Sequence, residues 1–309
     1  MKILITGGAG FIGTHLVNRL KTNHEIIIFD NFLNQVHGDS KKLIEGIKYI
    51  IGSVSNLSDW EDAMSTNPEI IIHLASETGT GQSMNEVTRY CDTNIIGTSI
   101  MIDVLNKRKN NVKKVILSSS RAVYGDEENT ISDCNLKPKS VYGVTKLTQE
   151  LLLKTSLKIP YTILRYQNVY GDGQSLNNQY TGIISIFSKK FEIDETIEIY
   201  DNGTPTRDFI YVGDVINLTI ECINNEKTNN KIYNVGTGTP TKIIDVANKL
   251  KKLYDSKSEI KITSFHRDGD IIHAVADLSE TLKDLGWSHK YSLDYGLNKI
   301  VKWVKNQNE

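Results

Sequence analysis

The stretch TGGAGFIG (6–13) joins an apolar run, which predicts a strand, to an amphipathic run, which predicts a helix. It places Gly7, Gly10 and Gly13 between a predicted strand and the start of a predicted helix. Glycines in this position allow a tight turn, and they let the backbone approach a pyrophosphate at the positive end of the helix. The stretch therefore predicts a dinucleotide site, with a generic glycine turn as the alternative.

The acid that follows the second apolar run, Asp30, bears on which dinucleotide is bound. A carboxylate at the end of that strand accepts hydrogen bonds from the adenosine ribose and repels a 2′-phosphate. No arginine lies near Asp30 in the sequence to hold such a phosphate. NAD is therefore the expected cofactor, NADP is possible, and a solvated strand-end aspartate is the alternative for Asp30.

Short apolar runs alternate with longer amphipathic stretches through the first half of the chain. The predicted strands cover 2–6, 25–29, 48–51, 69–74, 114–120 and 161–166, and the predicted helices include 11–22, 84–107 and 140–157. Strands that are apolar on both faces and alternate with helices indicate right-handed βαβ units and a parallel sheet covered on both sides. The expected fold class is α/β, a doubly wound parallel Rossmann sheet.

The alternation loosens after about residue 170, where shorter predicted strands mix with helices. The predicted elements there are strands near 195–200, 207–212 and 231–235 and helices at 213–224, 241–254 and 293–306. We therefore expect an NAD(P)-binding Rossmann domain over 1–167. Residues 168–309 should form mostly a smaller mixed α/β lobe for the substrate, partly interleaved with the Rossmann sheet.

Composition excludes several classes of partner. The chain has 309 residues, 39% of them hydrophobic, and a formal net charge of −1, so no global field favours nucleic acid or an anionic membrane. The three cysteines have no CxxC spacing, which indicates a reducing compartment and no disulfide framework. Neither a signal peptide nor a membrane span is expected, and the histidines show no metal-ligand spacing. These features predict a cytoplasmic protein without a metal site.

A tyrosine and a lysine four residues apart occur twice, as Tyr142–Lys146 in YGVTK and as Tyr295–Lys299 in YGLNK. With 14 tyrosines in the chain, such a pair also arises by chance. What distinguishes the first copy is Ser120, which ends the predicted strand KVILSSS, and strand ends are where open α/β sheets bind ligands. We therefore interpret Tyr142 and Lys146 as catalytic and the second copy as packing or surface.

Hydride transfer at a carbinol carbon needs a group that accepts or donates the hydroxyl proton. A free tyrosine, with a pKa of about 10, is a poor base at neutral pH. The Lys146 ammonium and the cofactor charge would have to favour the phenolate by about 3 pKa units. Ser120 would hold the substrate oxygen, which gives a predicted trio of Ser120, Tyr142 and Lys146.

The combination of TGGAGFIG, HLAS, SSS…VYG, YGVTK and RYQNVYG resembles the extended short-chain dehydrogenase/reductase family, whose members are nucleotide-sugar epimerases, dehydratases and reductases. The resemblance runs over nearly the whole chain. It implies that HLAS (73–76) lines the cofactor and that Asn94 helps to hold the active-site wall. The cofactor-binding residues expected in this way are Gly7, Gly10, Phe11, Ile12, Gly13, Asp30, Asn31, Leu74, Ala75, Ser76, Asn94, Tyr142 and Lys146.

The resemblance also suggests which residues bind the substrate. Arg207 and Arg267 match positions that clamp the diphosphate of a sugar nucleotide, and Asn168 would add a neutral contact. A surface ion pair is the alternative for each arginine. The acid–base pair of the family's 4,6-dehydratases is replaced here by Arg121 and Ala122, which disfavours dehydration.

With dehydration disfavoured, the remaining reactions are oxidation or reduction at one carbon of the sugar, or both in sequence as in an epimerase. The sequence resembles a subgroup acting on dTDP-6-deoxyhexoses in surface-polysaccharide (O-antigen) pathways, and the short segment between Gly125 and Tyr142 favours reduction of dTDP-4-keto-6-deoxyglucose. The alternative is a 4-epimerase of a dTDP-sugar, such as dTDP-L-rhamnose, or of a UDP-hexose, with tightly bound NAD. A non-catalytic NAD-sensing protein would be expected to have lost the tyrosine or the lysine. The family resemblance also suggests a homodimer that pairs the helices 84–107 and 140–157.

Overall fold

The computed structural model of the chain describes residues 1–38, 43–127, 130, 134, 136–178, 180, 182–266 and 269–307. The strands are β1 (Lys2–Thr6), β2 (Glu25–Asp30), β3 (Lys48–Ile51), β4 (Ile70–His73), β5 (Lys114–Ser120), β6 (Tyr161–Tyr166), β7 (Asn168–Tyr170), β8 (Ile197–Ile199), β9 (Thr206–Arg207), β10 (Phe209–Tyr211), β11 (Lys231–Val235), β12 (Thr241–Lys242), β13 (Ile260–Ile262) and β14 (His273–Ala274). The α-helices are α1 (Phe11–Leu20), α2 (Asn34–His37), α3 (Leu57–Ser65), α4 (Thr80–Ser83), α5 (Val87–Tyr90), α6 (Gly97–Lys107), α7 (Val141–Ser156), α8 (Ile183–Glu192), α9 (Val212–Asn224), α10 (Ile243–Tyr254), α11 (Ser279–Leu285) and α12 (Leu293–Lys305).

Seven parallel strands form the central sheet in the order β11-β6-β5-β4-β1-β2-β3. The four central strands β5, β4, β1 and β2 are almost wholly buried, and each contains an unbroken run of at least three apolar residues, as expected for a sheet covered on both faces. In this sheet β2 lies on one side of β1 and β4 lies on the other, so the strand order reverses at β1. A crevice therefore opens at the carboxyl ends of β1 and β4. The predicted doubly wound parallel sheet is confirmed.

Two apolar cores cover the two faces of this sheet. One contains Ile27 and Leu117 from the strands and Trp60 and Met101 from α3 and α6. The other contains Ile5 and Ile28 and continues through α1 and α9 into the apolar side chains of α8, α10 and α12. Because one core runs from the sheet into the second half of the chain, both halves are held by the same buried surface.

In the described part of the chain, three small sheets lie outside the central one. They pair β10 with β7, β13 with β8, and β9 with both β12 and β14. Meanwhile β11, from the second half of the chain, is hydrogen-bonded to β6 as an edge strand of the central sheet. A strand from the second half of the chain is therefore part of the central sheet. The division of the chain into two domains between residues 167 and 168 stays a prediction.

The helix expected over 84–107 is present in three parts. It consists of α5, a π-helical turn over Cys91–Ile96, and α6. Apolar periodicity does not separate a π turn from an α turn, so the π turn could not be predicted from the sequence. Within the described residues, no helix combines the length and apolarity needed to span a membrane.

Candidate active site

A cavity of about 750 Å³ opens at the carboxyl ends of the central strands and extends towards β8 and β9. This volume lies in the range of sites for small molecules and cofactors. Its position at the reversal of strand order is the one expected for a ligand of a doubly wound sheet. Of the residues predicted for the site, those that line it are Gly7, Gly10, Phe11, Ile12, Gly13, Asp30, Asn31, Leu74, Ala75, Ser76, Ser120, Tyr142, Lys146, Asn168 and Arg207.

The glycine turn after β1 leaves no room for side chains. Gly7 has a φ of +66°, and a Cβ there would lie 2.7 Å from the Ala75 amide nitrogen. A Cβ on Gly13 would lie 2.5 Å from the Gly7 carbonyl oxygen. Gly10 is the N-cap of α1, where no side chain of the described residues accepts a hydrogen bond from the first amides. The turn therefore presents backbone N–H groups and the positive end of α1 to the cavity, which fits a pyrophosphate.

Asp30 is 7% exposed at the end of β2. One carboxylate oxygen accepts a hydrogen bond from Ala9 N at 3.0 Å, and the other accepts one from Phe32 N at 2.9 Å. His37 Nε2 lies 3.6 Å from the carboxylate. These contacts fix the acid on the wall of the cavity, where it can accept hydrogen bonds from ribose hydroxyls.

The loop after β4 is held from behind by Asn94. Its Oδ1 accepts hydrogen bonds from Ser76 Oγ and Glu77 N, at 2.9 and 2.8 Å, and its Nδ2 donates to Thr145 Oγ1 at 2.9 Å. Asn94 is fully buried and does not line the cavity. It therefore supports the wall, as the resemblance implied, and does not face the cofactor directly.

His73, the first residue of HLAS, also lies behind the wall. Its ring nitrogens contact Thr6 Oγ1 at 2.8 Å and Thr98 Oγ1 at 3.3 Å, and the side chain is almost fully buried. Burial, with a smaller repulsion from Lys146, lowers the pKa of His73 to about 3. The expectation that it lines the cofactor is therefore corrected, because a neutral ring pinned between two hydroxyls faces the protein interior.

Ser120, Tyr142 and Lys146 converge on the cavity. Ser120 ends β5, and α7 begins one residue before Tyr142, capped by the Ser140 side chain. The phenol of Tyr142 is hydrogen-bonded to the Ser120 side chain. Lys146, one helical turn later, donates from Nζ to Ser118 O at 2.9 Å, with Nζ 6.0 Å from the centre of the Tyr142 ring. The strand end and the helix therefore bring together the three predicted side chains.

Burial changes the acidity of the two ionisable members of this trio. It raises the pKa of Tyr142, an effect that the Ser120 hydrogen bond partly opposes. Burial also lowers the pKa of Lys146 to about 7, with the Glu150 carboxylate opposing the shift. The phenol is therefore a weak acid here, and it depends on nearby positive charge to lose its proton.

A buried ion pair that sequence reasoning missed lies beneath the trio. Glu150 accepts hydrogen bonds from Arg165 Nε and Nη2 at 2.9 and 2.6 Å, and both side chains are essentially inaccessible to solvent. Glu150 also accepts a hydrogen bond from Ser119 Oγ, and Arg165 donates to Tyr124 OH. The available signals were an arginine inside the apolar strand YTILRY and an acid one turn beyond Lys146.

Two of the residues predicted to bind substrate, Asn168 and Arg207, line the cavity. Asn168 Oδ1 is buried and has no hydrogen-bond partner among the described residues, and Arg207 donates from Nη1 to the carbonyl oxygens of Thr206 and Ile272 at 2.8 and 3.2 Å. Arg121 and Lys190 also line the cavity, although neither was predicted to bind substrate. Arg267 lies outside the described residues.

The second tyrosine–lysine copy lies on α12, away from the cavity. Tyr295 is 39% exposed and stacks on Tyr291, with ring centres 4.7 Å apart. Lys299 Nζ lies 5.6 Å from the centre of the Tyr295 ring. Within the part of the chain that the structure describes, no cluster of three or more His, Cys, Asp or Glu side chains could hold a metal ion.

The family model for the NAD dependent epimerase/dehydratase family matches residues 3–236. A dTDP-L-rhamnose 4-epimerase from Burkholderia thailandensis is 35% identical, over 99% of this chain and 95% of that protein. A UDP-glucose 4-epimerase from Thermotoga maritima, solved with UDP-glucose, superposes with a TM-score of 0.90 at 30% identity, with both chains covered completely. A UDP-glucuronic acid 4-epimerase from Bacillus cereus, solved with UDP-glucuronic acid and NAD, superposes with a TM-score of 0.87 at 29% identity, over 99% of this chain and 100% of that one.

The fold and the cavity define an NAD-dependent enzyme, and the chain belongs to the NAD dependent epimerase/dehydratase family. The predicted family, enzyme class and NAD cofactor are confirmed. The roles of the individual site residues stay predictions.

Proposed function

We propose that this enzyme is a nucleotide-sugar 4-epimerase, most closely a dTDP-6-deoxyhexose 4-epimerase. The observation that carries the proposal is the convergence of Ser120, Tyr142 and Lys146 on a cavity that also contains a dinucleotide turn and Arg207. The full-length similarity to a dTDP-L-rhamnose 4-epimerase favours epimerisation over the reduction that the sequence analysis ranked first. The UDP-hexose 4-epimerases among the solved structures support the same reaction at the same carbon.

NAD would supply the acceptor and donor for the C4 hydride. The chain's own residues would hold and move the proton. Tyr142 would take the proton from the C4 hydroxyl and later return it, with Ser120 donating a hydrogen bond to the same oxygen. Lys146, held by Ser118 O, would place its ammonium near the phenol and favour the phenolate.

Substrate binding would fall to the second half of the chain. Arg207 would donate to the diphosphate, and Asn168 would use its unpartnered Oδ1 to accept a hydrogen bond from the ligand. Ala122, in place of the acid that a dehydratase needs, leaves no proton donor at that position. The reaction would therefore invert the configuration of the C4 hydroxyl without eliminating water from the sugar.

Epimerisation and reduction can be distinguished by incubating the NAD-loaded enzyme separately with dTDP-L-rhamnose, with UDP-glucose, and with dTDP-4-keto-6-deoxyglucose plus NADH. An epimerase converts one of the first two to its C4 epimer, detected by NMR, while NADH absorbance stays constant. Stoichiometric loss of NADH with the keto sugar, and no epimer from the other two, would establish the reductase instead.

We also propose a homodimer formed through α7 and the segment that contains α5, the π turn and α6. Exposed apolar side chains lie on two elements that pack together, with Ile96 and Val144 each nearly half exposed and Leu151 half exposed. Val144 and Leu151 are seven residues apart, so they share one face of α7. Light scattering should give twice the monomer mass for the wild type, and Leu151→Asp should give a monomer. A monomeric wild type at micromolar concentration would refute the dimer.

A further inference from the structure

Arg121 is a buried guanidinium next to the reacting centre. It follows Ser120 directly, in a 3₁₀ turn over Arg121–Tyr124 at the carboxyl end of β5. The residue is 7% exposed and lines the cavity. Nη2 donates to Gly125 O at 2.9 Å, while Nε is buried and has no hydrogen-bond partner among the residues that the structure describes.

The charges around Arg121 do not neutralise it. Among the ion pairs formed by the described residues, none involves Arg121, although those residues include several buried or half-buried pairs. Burial lowers the pKa of Arg121 to about 10, and repulsion from Arg207 adds to the shift. A buried charge without a counter-ion is costly, and an anion bound between two guanidinium groups would relieve both the desolvation and the repulsion.

Proton transfer is not a role that this side chain can take. A guanidinium holds its proton at neutral pH, even with this lowered pKa. What it offers instead is a planar set of N–H donors suited to two oxygens of a phosphate or a carboxylate. Its place in the chain, one residue after Ser120, sets it at the sugar end of a bound sugar nucleotide.

We infer that Arg121 binds an anionic oxygen at the sugar end of the substrate, either on the phosphate that carries the sugar or on a carboxylate of the sugar itself. The inference rests on the proposed function, because it takes a sugar nucleotide as the ligand. It makes Arg121 a residue that determines which substrates bind, in addition to the contact proposed for Arg207.

Isothermal titration of NAD-loaded protein with dTDP, UDP-glucose and UDP-glucuronic acid tests this inference. The variants are Arg121→Gln, which removes the charge, and Arg121→Lys, which keeps it. Arg108→Gln is the matched control, because Arg108 is half exposed and paired with Glu61. Loss of one charge-assisted contact should raise the dissociation constant by about 10-fold to 100-fold in Arg121→Gln. The Lys variant should lose less, and Arg108→Gln should match the wild type.

The three ligands separate the two anions. An equal loss for all three indicates the sugar-bearing phosphate, and a loss confined to UDP-glucuronic acid indicates a sugar carboxylate. NAD content and melting temperature verify the fold, and if Arg121→Gln does not fold, the comparison is made with Arg121→Lys. Unchanged dissociation constants for all ligands, in variants that still turn over a sugar nucleotide, would overturn the inference and leave the proposed function intact. A wild type that binds none of the ligands would overturn both.

Discussion

The two tyrosine–lysine copies have the same spacing and nearly the same local geometry. Nζ lies 6.0 Å from the ring centre for Lys146 over Tyr142 and 5.6 Å for Lys299 over Tyr295. Both pairs lie on helices whose N-cap is a serine side chain. Neither spacing nor ring contact therefore distinguishes a catalytic pair from a surface pair.

The surroundings of the two pairs do differ. Lys146 is 2% exposed and bound to a backbone carbonyl, and Tyr142 is half-buried and bonded to a hydroxyl at a strand end. Tyr295 is exposed and stacks on another tyrosine. Burial raises the pKa of Tyr142 and lowers the pKa of Lys146 to about 7. The strand end and the burial therefore distinguish the surroundings of the first pair from those of the second.

Replacing the two tyrosines gives the largest expected contrast. Tyr142→Phe removes the proposed proton acceptor and should lower kcat about 100-fold to 10,000-fold. Tyr295→Phe, the matched control, should leave kcat unchanged because that ring lies away from the cavity. Steady-state turnover of the same sugar nucleotide by both variants measures this, and comparable losses in the two would remove the distinction between the copies.

Replacing the two lysines tests the electrostatic part of the comparison. Burial raises the pKa of Tyr142, so removing the nearby ammonium in Lys146→Met should move the rise of kcat with pH to higher pH. The rate at neutral pH should fall by about 10-fold to 100-fold. Lys299→Met should keep the wild-type pH profile. A Lys146→Met enzyme with an unshifted profile would show that the ammonium does not stabilise the phenolate.

The ion pairs beside the two copies should differ in their effect on stability. Glu150→Gln leaves the buried Arg165 guanidinium without its counter-ion, and the free energy of unfolding should fall by about 3–5 kcal/mol. Asp294 pairs with Lys249 on the exposed surface, so Asp294→Asn should cost less than about 1 kcal/mol. Urea unfolding of both variants gives the two numbers, and similar values would mean that the pair beneath the active site is not desolvated.

The last expected effect concerns His73 and the dependence of stability on pH. Its pKa in the folded chain is lowered to about 3, so between pH 6.5 and 3 the unfolded chain binds a proton that the folded chain excludes. The stability that this group provides is present above pH 6.5 and is lost as the pH falls. His73 contributes at most about 1.4 kcal/mol per pH unit to the slope of the free energy of unfolding against pH. His73→Gln should unfold less steeply with acid, as measured by denaturant unfolding between pH 7 and 4; an unchanged slope would place a charged histidine in the folded protein.

The sequence was sufficient for the sheet and the trio for one physical reason. Buried parallel strands have continuous apolar runs, and a residue that ends such a run, as Ser120 and Asp30 do, lies at the ligand-binding edge. The convergence of Ser120, Tyr142 and Lys146 therefore followed from one strand end and one helical turn, whereas the substrate-binding residues were expected from the family resemblance. Their catalytic roles stay predictions.

The features that were missed depend on contacts between distant parts of the chain. The pairing of Glu150 with Arg165, and the inward position of His73, are set by how a helix or a neighbouring strand packs on the sheet. Spacing along the chain carries no record of that packing. The same holds for Arg121, because only the folded structure shows that it is buried beside the cavity and forms no ion pair with another described residue.

The proposed reaction, in the cleft beside Tyr142, takes a hydride from C4 of the sugar nucleotide and returns it to the same carbon. The most direct test uses a sugar nucleotide carrying deuterium at C4, incubated with the NAD-loaded enzyme in ordinary water. We predict a C4 epimer that retains the deuterium, with no net formation of NADH. Loss of the label to solvent, or its stoichiometric appearance in released NADH, would contradict the account.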